Sequence, residues 1–226
     1  MPTLLITGAN RGLGLEFSRS YAADGWTVHA AVRDPAKATE LKGLKGSVRI
    51  HQADVTNMQS VVDLAKALDR MPVDILINNA GVYLDRNGAL GALDFGAWEE
   101  TFRVNTVAPL RVAEALVDNV GRSGKKLMVF ITSRLGSVTE NGGGSYAYRA
   151  SKAALNMAVS CLALDLKSKG IACLLLHPGW VKTDMGGASA AVAIPDSIKG
   201  MRKVIARAGL ADTGKFYDFQ GAPVAW

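Results

Sequence analysis

The sequence has few of the side chains that build metal sites or disulfide frameworks. Its 226 residues include two cysteines and three histidines. Cys161 and Cys173 lie in apolar surroundings, so we expect buried, reduced thiols in a reducing compartment such as the cytoplasm. His29, His51 and His177 lack the spacing of metal ligands, and no metal site is expected.

Long hydrophobic runs and clusters of one charge are also missing. No stretch approaches 18 uninterrupted apolar residues, and MPTLLITG leads into apparent structure without the regions of a signal peptide. The net charge of +6 could indicate a nucleic-acid partner, but the 26 basic residues are scattered. Basic residues also suit small phosphate-bearing ligands, so we expect neither a membrane nor a nucleic acid as partner.

Short apolar runs alternate with longer helical patterns. Strands are predicted at residues 3–7, 27–32, 48–52, 75–78, 127–132 and 171–177, with a weaker one at 216–219. Helices are predicted at 14–24, 58–70, 97–120, 148–169 and 197–208. The strands are almost continuously apolar, which indicates a parallel sheet covered on both faces. The alternation predicts an α/β fold, a Rossmann-type doubly wound sheet of about seven strands. No linker divides the chain, so we expect a single domain over residues 1–226.

A glycine-rich turn follows the first predicted strand in LLITGANRGLGLEF. Gly8, Gly12 and Gly14 would permit a tight turn and close approach of the backbone to a phosphate. The helix that follows would present free N–H groups and a partial positive charge to a pyrophosphate. Glycine turns without ligands are common, but this one lies in the first βα unit, where dinucleotide folds bind.

A second pattern lies in GGGSYAYRASKAALNMA. Tyr148 and Lys152 are four residues apart and therefore share a helix face, whereas Tyr146 is six residues from Lys152. A cation beside a phenol would lower its pKa and make Tyr148 a proton donor and acceptor nearer neutral pH. The alternative is that both tyrosines are ordinary first-turn residues, because YxxxK often arises by chance.

The end of the second strand, HAAVRDP, bears on the choice of cofactor. An arginine there suits the 2′-phosphate of NADP, whereas a carboxylate would bind the ribose hydroxyl of NAD. Arg33 follows the strand and Arg11 lies in the glycine turn, so NADP is favoured and NAD is possible. Asp34 could repel the phosphate. Alternatively, Arg33 and Asp34 are a solvated pair before Pro35.

Seven motifs follow one another in a characteristic order. They are TGANRGLG at 7–14, Asp54-Val55, NNAG at 78–81, Asn105, Ser133, the pair Tyr148 and Lys152, and HPGWVKT at 177–183. Each is weak alone, but together they are specific. The chain resembles the short-chain dehydrogenase/reductase family over essentially its full length, especially its C-factor-like and carbonyl-reductase-like members.

The resemblance implies four catalytic residues. Tyr148 would be the general acid and base, and Lys152 would lower its pKa and bind the nicotinamide ribose. Ser133 would hold the substrate carbonyl oxygen, and Asn105 would anchor a water that relays protons from Lys152. Two hydroxyl donors aimed at that oxygen would stabilise its developing charge. From the residues alone, Thr132 or Ser137 could replace Ser133, and Asn105 would be read as a polar residue on a surface helix.

The resemblance also implies the cofactor contacts. Asp54 and Val55 would border the adenine, and Thr183 would bond the nicotinamide carboxamide. Asn78 would help to shape the floor under the cofactor, although NNAG could be only a strand-ending turn. The full set of implied contacts is Gly8, Asn10, Arg11, Gly12, Leu13, Gly14, Arg33, Asp54, Val55, Asn79, Ala80, Gly81, Tyr148, Lys152, Pro178, Gly179, Val181 and Thr183.

The expected function is NADP(H)-dependent reduction of a ketone or aldehyde, or oxidation of the corresponding alcohol. The alternative is an NADP-binding regulatory or signalling protein with little turnover. A sugar-nucleotide epimerase would need an added substrate domain, for which this chain is too short.

The small and apolar segment at 184–197 is expected to be a substrate loop, and Tyr83, Arg134, Trp180 and Met185 to flank the pocket. Ser133 and Tyr148 are 15 residues apart. This spacing leaves no room for the extra helix of monomeric carbonyl reductases, so a homodimer or homotetramer is expected.

Overall fold

A parallel sheet lies at the centre of the molecule. Within residues 1–86 and 88–226, which the computed structural model describes, this sheet has seven strands in the order β3-β2-β1-β4-β5-β6-β7. They are β1 Thr3–Thr7, β2 Thr27–Val32, β3 Ser47–Gln52, β4 Ile75–Asn78, β5 Leu127–Ile131, β6 Ala172–His177 and β7 Phe216–Asp218. The order reverses between β1 and β4, which confirms the predicted doubly wound topology.

Helices cover both faces of the sheet, as expected. They are α1 Gly12–Ala23, α2 Thr39–Lys42, α3 Met58–Leu68, α4 Phe95–Phe102, α5 Ala108–Gly121, α6 Tyr146–Leu166 and α7 Ile194–Arg207. Buried side chains of α1, α2 and α7 pack in one core, and those of α3, α5 and α6 pack in the other.

The two cores explain the continuous apolar strands. Along β1, Leu4 and Ile6 enter the core that contains α1, and Leu5 enters the opposite core. Side chains of a strand alternate between the two faces, so a strand covered on both sides needs an apolar residue at nearly every position.

The predicted helix at 97–120 is divided. A five-residue π-helical turn, Arg103–Val107, joins α4 to α5. Single π turns of this kind are often found at functional sites. The turn contains Asn105, so the interruption falls on a predicted site residue.

The prediction for Cys161 is wrong, because this residue is exposed on α6. The apolar side chains around it in the sequence include Leu164, which is also exposed. Cys173 is buried as expected, and burial raises the pKa of its thiol to about 12.

Two histidines interact across neighbouring strands. His29 Nδ1 lies 2.8 Å from His51 Nε2, and their rings stack with centroids 5.0 Å apart. Burial, with the nearby His51 and Arg49, lowers the pKa of His29 to about 4. His29 is therefore neutral at pH 7.

Of the helices in the described ranges, none combines the length and the apolar character needed to span a membrane.

Candidate active site

Most of the predicted site residues lie at one edge of the sheet. Parallel strands bring their carboxyl ends to the same edge, where such folds bind ligands. The segments that follow β1 to β6 begin with Gly8, Arg33, Ala53, Asn79, Thr132 and Pro178. The topology therefore brings the glycine turn, the NNAG segment and the neighbourhood of Ser133 together.

The glycine turn has a backbone that side chains would obstruct. Gly8 and Gly12 have φ values of +64° and +54°. A Cβ on Gly14 would overlap the carbonyl oxygen of Gly8 and come within 2.7 Å of the Asn79 amide nitrogen. Glycine at position 14 thus lets the start of α1 pack directly on the turn.

The start of α1 fits an anion. Arg11, the residue before the helix, is extended and makes no side-chain cap, and the first turn contains no acidic residue. The first N–H groups of a helix have no intrahelical acceptor, and they carry a partial positive charge. A Cβ on Gly12 would lie 3.5 Å from Thr183 Cγ2, so the predicted carboxamide contact adjoins this turn. These features suit a dinucleotide pyrophosphate.

The NNAG segment holds the glycine turn in place. The Asn79 side-chain amide donates to the carbonyl oxygens of Thr7 (3.0 Å) and Gly8 (3.1 Å). The Thr7 hydroxyl accepts hydrogen bonds from the backbone N–H groups of Asn79 and Ala80, both at 3.1 Å. Asn78 is buried, and its amide atoms have no hydrogen-bond partner among the described residues. NNAG is therefore more than a strand-ending turn.

The tip of β2 presents an exposed cation. Arg33 is exposed, whereas the Asp34 carboxylate accepts a hydrogen bond from the Ala36 N–H at 3.0 Å and lies 3.5 Å from Lys37 Nζ. Asp34 thus takes part in its own turn and has a cation beside it. This arrangement weakens the expected repulsion of a phosphate.

The second candidate cation has another partner. Arg11 forms an ion pair with Asp184 at 2.9 Å, and both side chains are exposed.

Burial alone would raise the pKa of Asp54, but hydrogen bonds from Thr56 and the nearby Arg33 lower it. The charge of Arg33 therefore acts on the predicted adenine side of the site.

Tyr148 and Lys152 share a buried face of α6, with side chains respectively 8% and 5% exposed. Lys152 Nζ lies 5.9 Å from the centroid of the Tyr148 ring and donates to the Ile131 carbonyl oxygen at 2.9 Å. Tyr146 is 38% exposed and makes no part of this group. The structure thus places Tyr148, and not Tyr146, beside Lys152, as the four-residue spacing predicted.

The expected pKa shift of Tyr148 is wrong in this arrangement. Burial raises the pKa of Tyr148 to about 12 and outweighs the lowering by a hydrogen bond with Ser133. Burial also lowers the pKa of Lys152 to about 8. Desolvation disfavours the charged form of both groups, and it is the largest cause of both pKa shifts.

Asn105 is fully buried at the centre of the π turn. Its amide oxygen accepts from the Val82 N–H at 2.8 Å, and its nitrogen donates to Val82 O (2.9 Å) and Ser151 Oγ (3.1 Å). A Cβ on Gly81 would lie 3.3 Å from Asn105 Oδ1 and 3.8 Å from Lys152 Nζ. Asn105 therefore lies beside Lys152, and the alternative of a surface position is excluded.

Ser133 is also better placed than its two alternatives. The Thr132 hydroxyl donates to Asn156 Oδ1 at 2.6 Å, and the Ser137 hydroxyl donates to the Trp226 backbone oxygen at 3.3 Å. The hydroxyl protons of both are thus engaged in structural contacts. Ser133 Oγ accepts a hydrogen bond from the Leu135 N–H at 3.1 Å, which leaves its own proton available, and Ser133 lowers the pKa of the Tyr148 phenol.

Two further residues beside Tyr148 were not predicted as site residues. The carboxylate of Asp85 accepts hydrogen bonds from the first turn of α6, and Arg86 contacts the segment around Met185. Neither Asp85 nor Arg86 belongs to one of the seven sequence motifs. Ser145, just before α6, has the residue type of a local helix cap, and no local pattern indicates a cap from a distant segment.

The expected substrate loop is shorter than predicted, because α7 begins at Ile194 and residues 194–197 are helical. In the remaining loop, the Gly186 carbonyl oxygen accepts a hydrogen bond at 2.8 Å from Nε1 of Trp180, which lies in the preceding segment.

The fold and the site define a nucleotide-binding oxidoreductase. A glycine turn and an uncapped helix start adjoin a buried serine, tyrosine, lysine and asparagine. In the described part of the chain, no group of three or more His, Cys, Asp or Glu side chains could hold a metal ion. Residues 2–192 match the family model for short chain dehydrogenases. The chain belongs to the short-chain dehydrogenase/reductase family, a class of NAD(P)-dependent oxidoreductases.

Similarity to individual proteins supports membership of this family. The chain is 46% identical to C-signal of Myxococcus xanthus over 159 residues, which cover 69% of this chain and 93% of the relative. It is 32% identical over the full length of both chains to 1-hydroxy-2-glutathionyl-2-methyl-3-butene dehydrogenase of Rhodococcus sp. strain AD45. The structure of an NADPH-bound carbonyl reductase from chicken fatty liver superposes with a TM-score of 0.93 at 32% identity, covering 100% of this chain and 94% of the other.

The close contact at Gly14 leads to a stability prediction. Gly14→Ala should destabilise the fold by about 1–3 kcal/mol, because the new methyl group must displace backbone. Gly124→Ala is the control, since a Cβ there meets nothing within 4 Å. Urea unfolding measures both variants, and equal stability of the two would contradict the packing argument.

Proposed function

We propose that the protein is an NADP(H)-dependent oxidoreductase that reduces a ketone or aldehyde, or oxidises the corresponding alcohol. The observation that carries the proposal is the burial of Tyr148, Lys152 and Ser133 in one group near the glycine turn. The similarity to an NADPH-bound carbonyl reductase supports it.

The hydroxyl groups of Ser133 and Tyr148 bind the substrate carbonyl oxygen and stabilise the charge that develops there. A pKa of about 12 keeps Tyr148 protonated at neutral pH, so that it can donate a proton to this oxygen. Lys152, with a pKa lowered to about 8, restores that proton. Asn105 anchors the water that connects Lys152 to solvent.

The cofactor, when bound, supplies the hydride. Its pyrophosphate is held by the glycine turn and the start of α1, and Arg33 binds the 2′-phosphate. Val55 and Asp54 border the adenine, and Thr183 binds the carboxamide. The remaining contacts are those of Asn10, Arg11, Leu13, Asn79, Ala80, Gly81, Pro178, Gly179 and Val181.

The substrate is an apolar or aromatic carbonyl compound. Tyr83 stacks on Tyr148 with ring centroids 4.3 Å apart, and Trp180 is an exposed aromatic residue in the segment after β6. With Met185, they give the substrate site a mainly aromatic and apolar lining, and Arg134, which is paired with Glu140 and Asp218, adds one cation at its side.

The protein forms a homodimer or homotetramer. Met157, Cys161 and Leu164 form an exposed apolar stripe on α6, with intervals of four and three residues. Pairing of this face with a second copy would cover the stripe.

A second candidate function is regulation, in which NADP binding occurs with little turnover. The 46% identity to C-signal favours keeping this candidate. The buried catalytic group favours the enzyme, and the first experiment below distinguishes the two.

Replacement of Tyr148 by phenylalanine removes the proton donor. Tyr148→Phe should bind NADPH as the wild type does and lose carbonyl reduction by about 10²–10⁴-fold. Initial rates are measured with a panel of ketones and aldehydes, and Kd by NADPH fluorescence. Tyr146→Phe is the matched control and should retain activity. Equal turnover by wild type and Tyr148→Phe would reject the role of Tyr148, and no turnover by the wild type would favour regulation.

Arg33 is expected to determine the choice between the two cofactors. Arg33→Met should weaken NADPH binding roughly ten- to a hundredfold, because a charge-assisted bond to the 2′-phosphate is lost, and should leave NADH binding unchanged. Titrations with both cofactors test this. Arg122→Met, at the exposed end of α5, is the control. An equal loss for NADPH and NADH would refute the role of Arg33.

Leu164 tests the proposed assembly, since it is 73% exposed within the apolar stripe. Leu164→Lys should shift the protein to monomers, because a charge cannot be buried unpaired in an apolar interface. Light scattering after size-exclusion chromatography measures the mass. Met58→Lys, a similar change at an exposed position of α3, should leave the mass unchanged. A monomeric wild type would show that the stripe has another role.

A further inference from the structure

The helix that carries Tyr148 has no local cap. Ser145, at the capping position, has φ +47° and ψ +47°, in the left-handed region, and its side chain does not cap α6. Instead, the carboxylate of Asp85 accepts hydrogen bonds from the backbone N–H groups of Ala147 at 2.6 Å and Tyr148 at 3.2 Å. A side chain 62 residues earlier therefore satisfies the first turn of the helix and fixes the backbone of Tyr148 itself.

A second contact from the same segment holds the phenol ring. The rings of Tyr83 and Tyr148 stack at an angle of 24° with centroids 4.3 Å apart. The Tyr83 hydroxyl is hydrogen-bonded to Ser145 Oγ. Tyr83 thus contacts both the ring of Tyr148 and the residue before its helix.

The third residue of the segment reaches the loop after β6. The Arg86 guanidinium lies 5.0 Å from the centroid of the Tyr83 ring. It donates to the backbone carbonyl oxygens of Asp184 at 3.1 Å and of Met185. A continuous series of contacts therefore runs from residues 184–185 through Arg86 and Tyr83 to Tyr148.

We propose that Tyr83, Asp85 and Arg86 are positioning residues, which couple the position of residues 184–185 to the placement of the Tyr148 hydroxyl. The inference rests on the proposed function of Tyr148. Asp85 fixes the backbone of Tyr148 and Tyr83 fixes its ring, while Arg86, the residue after Asp85, links Tyr83 to the loop. Small errors in the position of a reacting group are costly, since a displacement of about 1 Å can reduce a rate about a hundredfold.

The first experiment removes the distant cap. Asp85→Ala should lower kcat about tenfold, change the Kd for NADPH by less than about twofold, and accelerate amide exchange at Ala147 and Tyr148. Asp85→Asn keeps an oxygen acceptor and should recover most of the kcat. A kcat of Asp85→Ala within twofold of the wild type would overturn the role of Asp85.

The control is Asp94, which caps α4 by accepting from the Ala97 N–H at 2.9 Å. Asp94→Ala removes a similar cap and should lower the melting temperature by a similar amount, with kcat unchanged. If Asp94→Ala loses as much kcat as Asp85→Ala, the effect is one of general stability and the proposal is overturned.

The second experiment tests the coupling. Arg86→Met should lower kcat and accelerate exchange at the Tyr148 amide, although Arg86 does not contact that amide. Combined with Tyr83→Leu, it should add little further loss, because the two residues act in series. Independent, multiplicative losses, or unchanged exchange at Tyr148 in Arg86→Met, would overturn the coupling.

The experiments distinguish failure of the positioning role from failure of the proposed function. If the wild type reduces carbonyl compounds but kcat and exchange are unchanged in Asp85→Ala and Arg86→Met, only the positioning role fails. If the wild type reduces none, the proposed function fails, while the exchange measurements still decide whether the contacts hold the start of α6.

Discussion

The structure depends on the seam between β1 and β4, where the strand order reverses. Backbone pairing joins the two strands, but their ends are fixed by the Thr7 hydroxyl and the Asn79 amide. The Asn79 amide also donates to Gly8, and so it sets the position of the glycine turn relative to the second half of the sheet. One half supplies the helix start proposed to hold the pyrophosphate and the other supplies the proposed catalytic group, so a shift at this seam would separate them.

Burial sets the protonation of Tyr148 and Lys152 in the proposed catalytic group. The pKa of Tyr148 is raised and that of Lys152 is lowered, because both side chains lose contact with water and burial destabilises the charged form of each. The result is a neutral phenol and an easily deprotonated amine in one buried group. Local charge attraction suggested the opposite shift for Tyr148. Sequence spacing shows which charged groups are neighbours, but their pKa values also depend on how far each group is removed from water.

Much of the fold could be predicted because it follows from local rules. Continuous apolar runs gave the strands of the parallel sheet, and the four-residue interval selected Tyr148 over Tyr146. The failures concern contacts between distant segments. The periodicity predicted one helix at 97–120, but a π turn divides this segment. At the turn, the Asn105 amide is buried and hydrogen-bonded to Val82. Ser145 had the residue type of a cap, but its left-handed backbone leaves that role to Asp85. No local pattern encodes either arrangement.

The histidine pair of β2 and β3 makes the stability of the fold depend on pH. The ordinary pKa of 6.5 applies to His29 in the unfolded chain, against about 4 in the folded protein. The unfolded chain therefore binds more protons between these values, and the stabilising contribution present above pH 6.5 is lost as the pH falls towards 4. Protonation of His29 therefore destabilises the β2–β3 edge of the sheet, where the strand ends lead into Arg33 and Asp54. His177, at the end of β6, likewise has its pKa lowered to about 4 by burial. Acid would thus loosen both the β2–β3 edge and the half of the sheet that carries Ser133.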